Sequence, residues 1–259
     1  MTDKTYTSTL NAGLGMLQEI KMLLDLWHSG MTAIELQGIA LESGRFPNIS
    51  ARRLRNFIFQ GFAPLCLYDN GERAVLLQKL HPILTNREFE QWLFIYTCRT
   101  HAILADFVRE VYWNAYVSGR DRLSNEEARA FVVRAVQDGQ TTTPWSESTV
   151  MRVARYLTSY CADFGLLERG IRQVRSILPY WIEPHVAALL AYDLHFAGLG
   201  DNALLVHEDW ALFGMDRPDV LEEMKRLALT GKVIVQVAGG VTKINWKYQT
   251  MEELIDGLS

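Results

Sequence analysis

The sequence predicts a mainly α-helical protein with helix-turn-helix and winged-helix elements and two short β-hairpins. Three observations carry that expectation. Apolar residues recur at helical spacing along most of the chain, Ser, Thr and Asn residues stand where helices should start, and only two stretches alternate with a period of two. A composition of 49% hydrophobic and 22% charged residues over 259 positions is that of a globular protein able to bury a sizeable core. Intrinsic disorder is excluded on the same grounds.

From Thr9 to Ser29, Leu10, Leu14, Leu17, Ile20, Met22, Leu23, Leu24, Leu26 and Trp27 recur at helical spacing, and Gly30 closes the segment. Thr32 is placed to cap a second helix through Leu41, which Gly44 ends. Asn48 or Ser50 opens a third through Gln60. A short helix, a glycine-containing turn and another short helix form a helix-turn-helix pattern. Pro64 to Gly71 reads as a turn, Ala74 to Leu80 as a helix, and Arg87 to Ser118 as one long helix rich in aromatic residues and buried as a strut.

Ser124 and Glu127 have the spacing of a capping box for a helix to about Gln137, and Asp138 to Pro144 is a polar loop. Ser146 caps a helix spanning Val150 to Phe164. The stretch from Leu166 to Arg175 reads as two strands around Arg169-Gly170, completing a winged helix-turn-helix. Further helices occupy Pro184 to Gly198, Asn202 to Phe213 and Pro218 to Leu229. Val233 to Val237 and Val241 to Trp246 alternate about Gly239-Gly240, the mark of a tight hairpin. These elements group into residues 1–82, 83–182 and 183–259.

Membrane residence is not expected, because a span needs about 20 consecutive apolar residues. The best candidates are interrupted by Arg99 and Asp106 and by Asp193 and His195. The polar start lacks the basic and apolar regions of a secretory signal, and Cys66, Cys98 and Cys161 make no disulfide framework, so the cytoplasm is the expected location. Catalytic signals are weak. Cys98 and His101 are half a metal site with no second half, and His185, His195 and His207 fall in different helices. No GxGxxG, GxxxxGK[ST] or GxSxG pattern occurs. The expectation is a protein that is no enzyme and needs no metal or cofactor.

The net charge of −4 conceals an asymmetry, with 20 basic and 18 acidic side chains in residues 1–182 against 6 and 12 in residues 183–259. Two basic constellations follow. The first is Arg45, Arg52, Arg53 and Arg55, with Asn56 and Gln60 on the third helix, where Arg52, Arg55 and Asn56 share a face. Arg152 and Arg155 lie on the helix after Ser146, joined by Arg169, Arg172 and Arg175 on the expected wing. Guanidinium groups on a helix and a wing suit a duplex, the helix entering the major groove while the wing reaches phosphates. The plainer alternative for either set is a solvated surface. Lys232, Lys243 and Lys247 decorate the last hairpin within an acidic third of the chain, where phosphate would be repelled.

The chain also resembles a known family, the BrxA family of BREX bacteriophage-defence systems. The resemblance lies in Tyr6-Thr-Ser-Thr-Leu10 followed by Glu19, and in Asn48-Ile-Ser50 leading to Arg53. It continues in Ala105-Asp-Phe-Val-Arg-Glu-Val111, in Pro144-Trp-Ser-Glu-Ser-Thr149 with Gly165-Leu-Leu167, and through His195 to Trp210. It implies a helical, non-enzymatic protein that binds double-stranded DNA beside a methyltransferase, an ATPase and other BREX proteins. Two alternatives stand beside that function: a scaffold that docks partner subunits without touching DNA, and a transcriptional regulator with one operator.

Overall fold

The computed structural model describes residues 5–10, 15–170 and 172–258. It is mainly α-helical, with two two-stranded antiparallel sheets. The chain forms two compact units, one drawing on the chain up to Pro82 and on Tyr96–Pro179, the other on Ile83–Ile95 and the chain from Tyr180. Residues of the first sequence region and most of the central one therefore pack together.

In the first unit, α1 (Leu17–Leu26) buries Leu17, Ile20, Leu23 and Leu24. The expected start of that helix at Thr9 runs into residues 11–14, outside the described residues. Next, α2 (Ala33–Glu42) starts at a Thr32–Glu35 capping box, and α3 (Ala51–Phe57) is capped by Ser50, whose hydroxyl accepts from the Arg53 N–H. The helix does not stop at Gln60. It passes through a π turn, Ile58–Phe62, into α4 (Ala63–Cys66), so the expected turn from Pro64 is partly helical. Proline explains the widened turn: Pro64 has no N–H to return to the carbonyl of residue 60. After α4 the chain turns through Asp69, Asn70 and Gly71, all with positive φ, into α5 (Glu72–Leu80).

The single long helix expected over Arg87 to Ser118 is instead a broken series. Helix α6 (Asn86–Thr100) contributes to both units, and His101, at φ −123° and ψ 85°, separates it from α7 (Ala102–Phe107). Thr100 accounts for part of the break, since its hydroxyl donates to the Tyr96 carbonyl at 2.9 Å and competes with the backbone ladder. A π turn, Val108–Tyr112, leads to α8 (Trp113–Val117).

Strand β1 (Arg122–Ser124) precedes α9 (Asn125–Gln137), whose Ser124–Glu127 capping box matches the sequence reading. Helix α10 (Glu147–Asp163) is capped by Ser146 and packs on α9. The expected hairpin about Arg169-Gly170 differs from the structure. Strand β2 (Val174–Ser176) pairs with β1, with Leu123 opposite Arg175. The arm before Arg169 joins through the Leu167–Ile177 bridge, with the Glu168 N–H donating to the Ser176 carbonyl and the Leu178 N–H to the Leu166 carbonyl, each at 2.9 Å.

The second unit is built from the first part of α6, α11 (Pro184–Phe196), α12 (Asp201–Leu204), a 3-10 turn at Trp210–Phe213 and α13 (Arg217–Leu229). The hairpin of β3 (Val233–Ala238) and β4 (Val241–Trp246) follows, and α14 (Met251–Asp256) closes the unit. Gly239 and Gly240, at φ 58° and 81°, make the tight turn as expected. Tyr192 anchors the hairpin, its hydroxyl donating to the Lys232 carbonyl at 2.5 Å and accepting from the Lys247 N–H at 3.1 Å. Phe94, Tyr180 and Phe213 form an aromatic cluster in which Tyr180 stacks on Phe213 at 5.8 Å. No helix among the described residues is long and apolar enough to cross a membrane.

Candidate nucleic-acid interface

Helix α10 is amphipathic because its sequence places Val150, Val153, Ala154, Leu157, Thr158 and Cys161 inward. One of these positions is polar, and Thr158 satisfies it by donating to the Asn125 amide oxygen at 2.6 Å. The opposite side carries Ser148, Met151, Arg152 and Arg155, all exposed, with Tyr156 and Ser159 partly so. These positions follow at steps of three and four and form one continuous stripe without an acidic residue. Sequence reasoning singled out the two arginines and missed Ser148, Met151 and Tyr156, although the same spacing includes them.

The second constellation divides when its partners are inspected. Arg152, Arg155 and Arg172 are exposed and make no ion pair or side-chain hydrogen bond among the described residues. Arg169 is exposed too, but one guanidinium nitrogen donates to the Asp163 carbonyl at 3.2 Å, at the C-terminal end of α10. Arg175 is half-buried and structural: Nη2 donates to the Ser159 hydroxyl at 3.2 Å and Nη1 to the Glu168 carbonyl at 3.5 Å.

The three acids of this segment are all engaged elsewhere. Glu147 faces Arg129 of α9 at 3.6 Å, Glu168 accepts from the Ser176 hydroxyl at 2.9 Å, and the Asp163 carboxylate accepts from the Gly15 N–H at 2.7 Å. Burial pushes the Asp163 carboxyl above its ordinary range, an effect opposed by the Gly15 N–H and by Arg169 and Arg175. None of the three neutralises the stripe on α10.

The first constellation is less open. Arg52 is exposed without a partner among the described residues, but the Arg53 guanidinium lies 3.7 Å from the Met16 sulfur and Arg55 sits 6.0 Å over the Phe59 ring. Arg45, just before this helix, pairs with Asp25 at 3.6 Å. Of the lysines on the last hairpin, Lys247 lies 5.0 Å over the Tyr248 ring. The acids of α13 are used within the helix: Asp216 and Asp219 form its capping box, and Glu222 and Glu223 pair with Lys225 and Arg226 at 2.6 and 2.8 Å. Cys98 is buried and His101 marks the helix break. The described residues contain no group of three His, Cys, Asp or Glu side chains placed to hold a metal ion.

No curated protein matches the chain. The BrxA family model matches residues 4–193, which include α1 to α10, both strands of the first sheet and most of α11. With most of its length matched, the chain belongs to the BrxA family of BREX-associated defence proteins.

Proposed function

We propose that this protein is a non-enzymatic accessory component of a BREX system that binds double-stranded DNA largely through phosphate contacts, using α10 and the loop after it. The observation that carries the reading is the state of Arg152, Arg155 and Arg172: three exposed guanidinium groups without carboxylate partners among the described residues, on a helix and on the loop after it. Charges of this kind attract phosphate because no internal acid has to be displaced first.

The order of elements supports the same reading. A helix, β1, α9, α10 and β2 follow one another, and Arg169, Gly170, Arg172 and Gln173 lie in the connection between the Leu167–Ile177 bridge and β2. We read that loop as the wing of a winged helix-turn-helix and α10 as the helix that enters the major groove. Ser148 and Met151 would then stand beside Arg152 at the groove floor, Met151 offering an apolar contact to a thymine methyl. Arg52 is a secondary phosphate contact in this scheme.

The test is a gel shift with unrelated duplexes of equal length over a series of salt concentrations. Binding to every duplex, weakening steeply with salt, is the expected outcome. A single strongly preferred duplex would support a regulator with one operator. No binding at low salt would favour the scaffold.

A further inference from the structure

Helix α2 leaves an apolar line in solvent. Its first turn is fixed by the capping box, in which the Thr32 hydroxyl accepts from the Glu35 N–H at 3.3 Å and the Glu35 carboxylate accepts from the Thr32 N–H at 2.8 Å. Leu36 and Ala40 face the core. At 3.6 residues per turn the outward side therefore holds Ile34, Gly38 and Leu41 in one line. Ile34 is 72% exposed and Leu41 45%, with Ile39 on the flank at 39%. Glu35 and Glu42 run beside that line, both exposed, and α2 contains no basic residue.

Gly38 occupies the middle of the line. A methyl group there would meet nothing within 4 Å, so alanine fits the fold and favours the helix more than glycine does. Glycine instead leaves a notch between two aliphatic side chains, where another backbone can come close. The N-terminal end of the line adjoins an open cavity of about 560 Å³ whose walls include Trp27, Met31, Ala33, Leu67 and Tyr68, the last 60% exposed.

Charge selects the occupant. A second copy packing α2 on α2 about a twofold axis would gather Glu35 and Glu42 from both copies with no basic residue of either helix between them. Arg45 offers no relief, being paired with Asp25. Duplex DNA is repelled by the same carboxylates. A foreign helix that is apolar along one side and bears Lys or Arg on its flanks satisfies both the aliphatic line and the carboxylates. We propose that α2 is the docking face for such a basic amphipathic helix of another protein, seated across Gly38. The proposal stands apart from the DNA reading, which uses α10.

The test uses the full-length protein labelled at isoleucine methyl groups. The probe is a synthetic peptide of about 18 residues, long enough to be helical alone, with a leucine stripe flanked by lysines. A control peptide carries glutamates in place of the lysines. The lysine peptide is expected to move the Ile34 and Ile39 methyl signals and the control is not. Ile34→Lys is expected to weaken the lysine peptide by about tenfold. Gly38→Ala is expected to raise the melting temperature while weakening the peptide several-fold, which separates docking from folding. Equal binding of both peptides, unmoved Ile34 signals, or a Gly38→Ala variant with unchanged peptide affinity would overturn the proposal. So would self-association by sedimentation that Ile34→Lys abolishes, since the second copy would then hold the face.

Discussion

The Arg175 guanidinium donates to the Ser159 hydroxyl at 3.2 Å, tying β2 to the fourth turn of α10. With its second contact to the Glu168 carbonyl, this side chain holds the start of the loop near the helix, and the proposed phosphate contacts fall to Arg152, Arg155 and Arg172. Positive charge near the interface thus serves two purposes, one in folding and one in the proposed binding.

Arg175→Ala is expected to lower stability by about 1–3 kcal/mol, because it leaves the hydroxyl and carbonyl it served to find other partners. Arg172→Ala removes an exposed side chain with no ion pair or hydrogen bond among the described residues and is expected to stay within about 0.5 kcal/mol of the parent, while lowering DNA affinity. Denaturant melts of the two variants, with a binding titration of Arg172→Ala, check this. The opposite order of stabilities would show that the roles are exchanged.

Gly71 is required by Trp27. A Cβ built on it would lie 2.6 Å from the indole Cζ2, and its φ of 86° suits glycine alone. The indole cannot retreat freely, since its N–H donates to the Met31 carbonyl at 2.9 Å. Gly71→Ala is expected to cost about 2–4 kcal/mol by chemical denaturation. A cost below about 0.5 kcal/mol would contradict the packing.

Burial pushes the His101 imidazole down to about 4 from its ordinary 6.5. Between those values the unfolded chain binds a proton that the folded protein does not. The contribution is therefore complete above about pH 6.5 and is lost as the pH falls toward 4, by up to about 3 kcal/mol. The difference in stability between parent and His101→Gln, followed from pH 7 to 4, is expected to shrink by that amount. A difference independent of pH would show that His101 titrates normally.

How much of this was legible depended on whether the cause was local. The Ser124–Glu127 cap, the Thr32 cap, the body of α10 and the Gly239-Gly240 hairpin all follow from residues within a few positions of one another. The pairing of β1 with β2 did not, because Leu123 and Arg175 are brought together across two intervening helices. A short α14 capped by Thr250 was also missed; six residues give too little periodicity to stand out. At the proposed interface the spacing of Arg152 and Arg155 was readable, whereas their freedom from partners was not. That freedom rests on tertiary contacts, Glu147 with Arg129 and Asp163 with Gly15. The same kind of contact removed Arg175 from the set.

The central claim is that α10 supplies phosphate contacts, and a salt titration of duplex affinity for Arg152→Glu/Arg155→Glu tests it most directly. Both side chains are exposed and unpaired among the described residues, so thermal melting is expected to match the parent. Affinity should fall about equally on unrelated duplexes. The slope of log affinity against log salt should drop by roughly two units, at about 0.9 per phosphate contact. The same exchange at Arg52 and Arg55 should have the smaller effect, because Arg55 lies against Phe59 and Arg53 against Met16. A parent that binds duplex DNA and a folded Arg152→Glu/Arg155→Glu variant that keeps its affinity and slope would contradict the account.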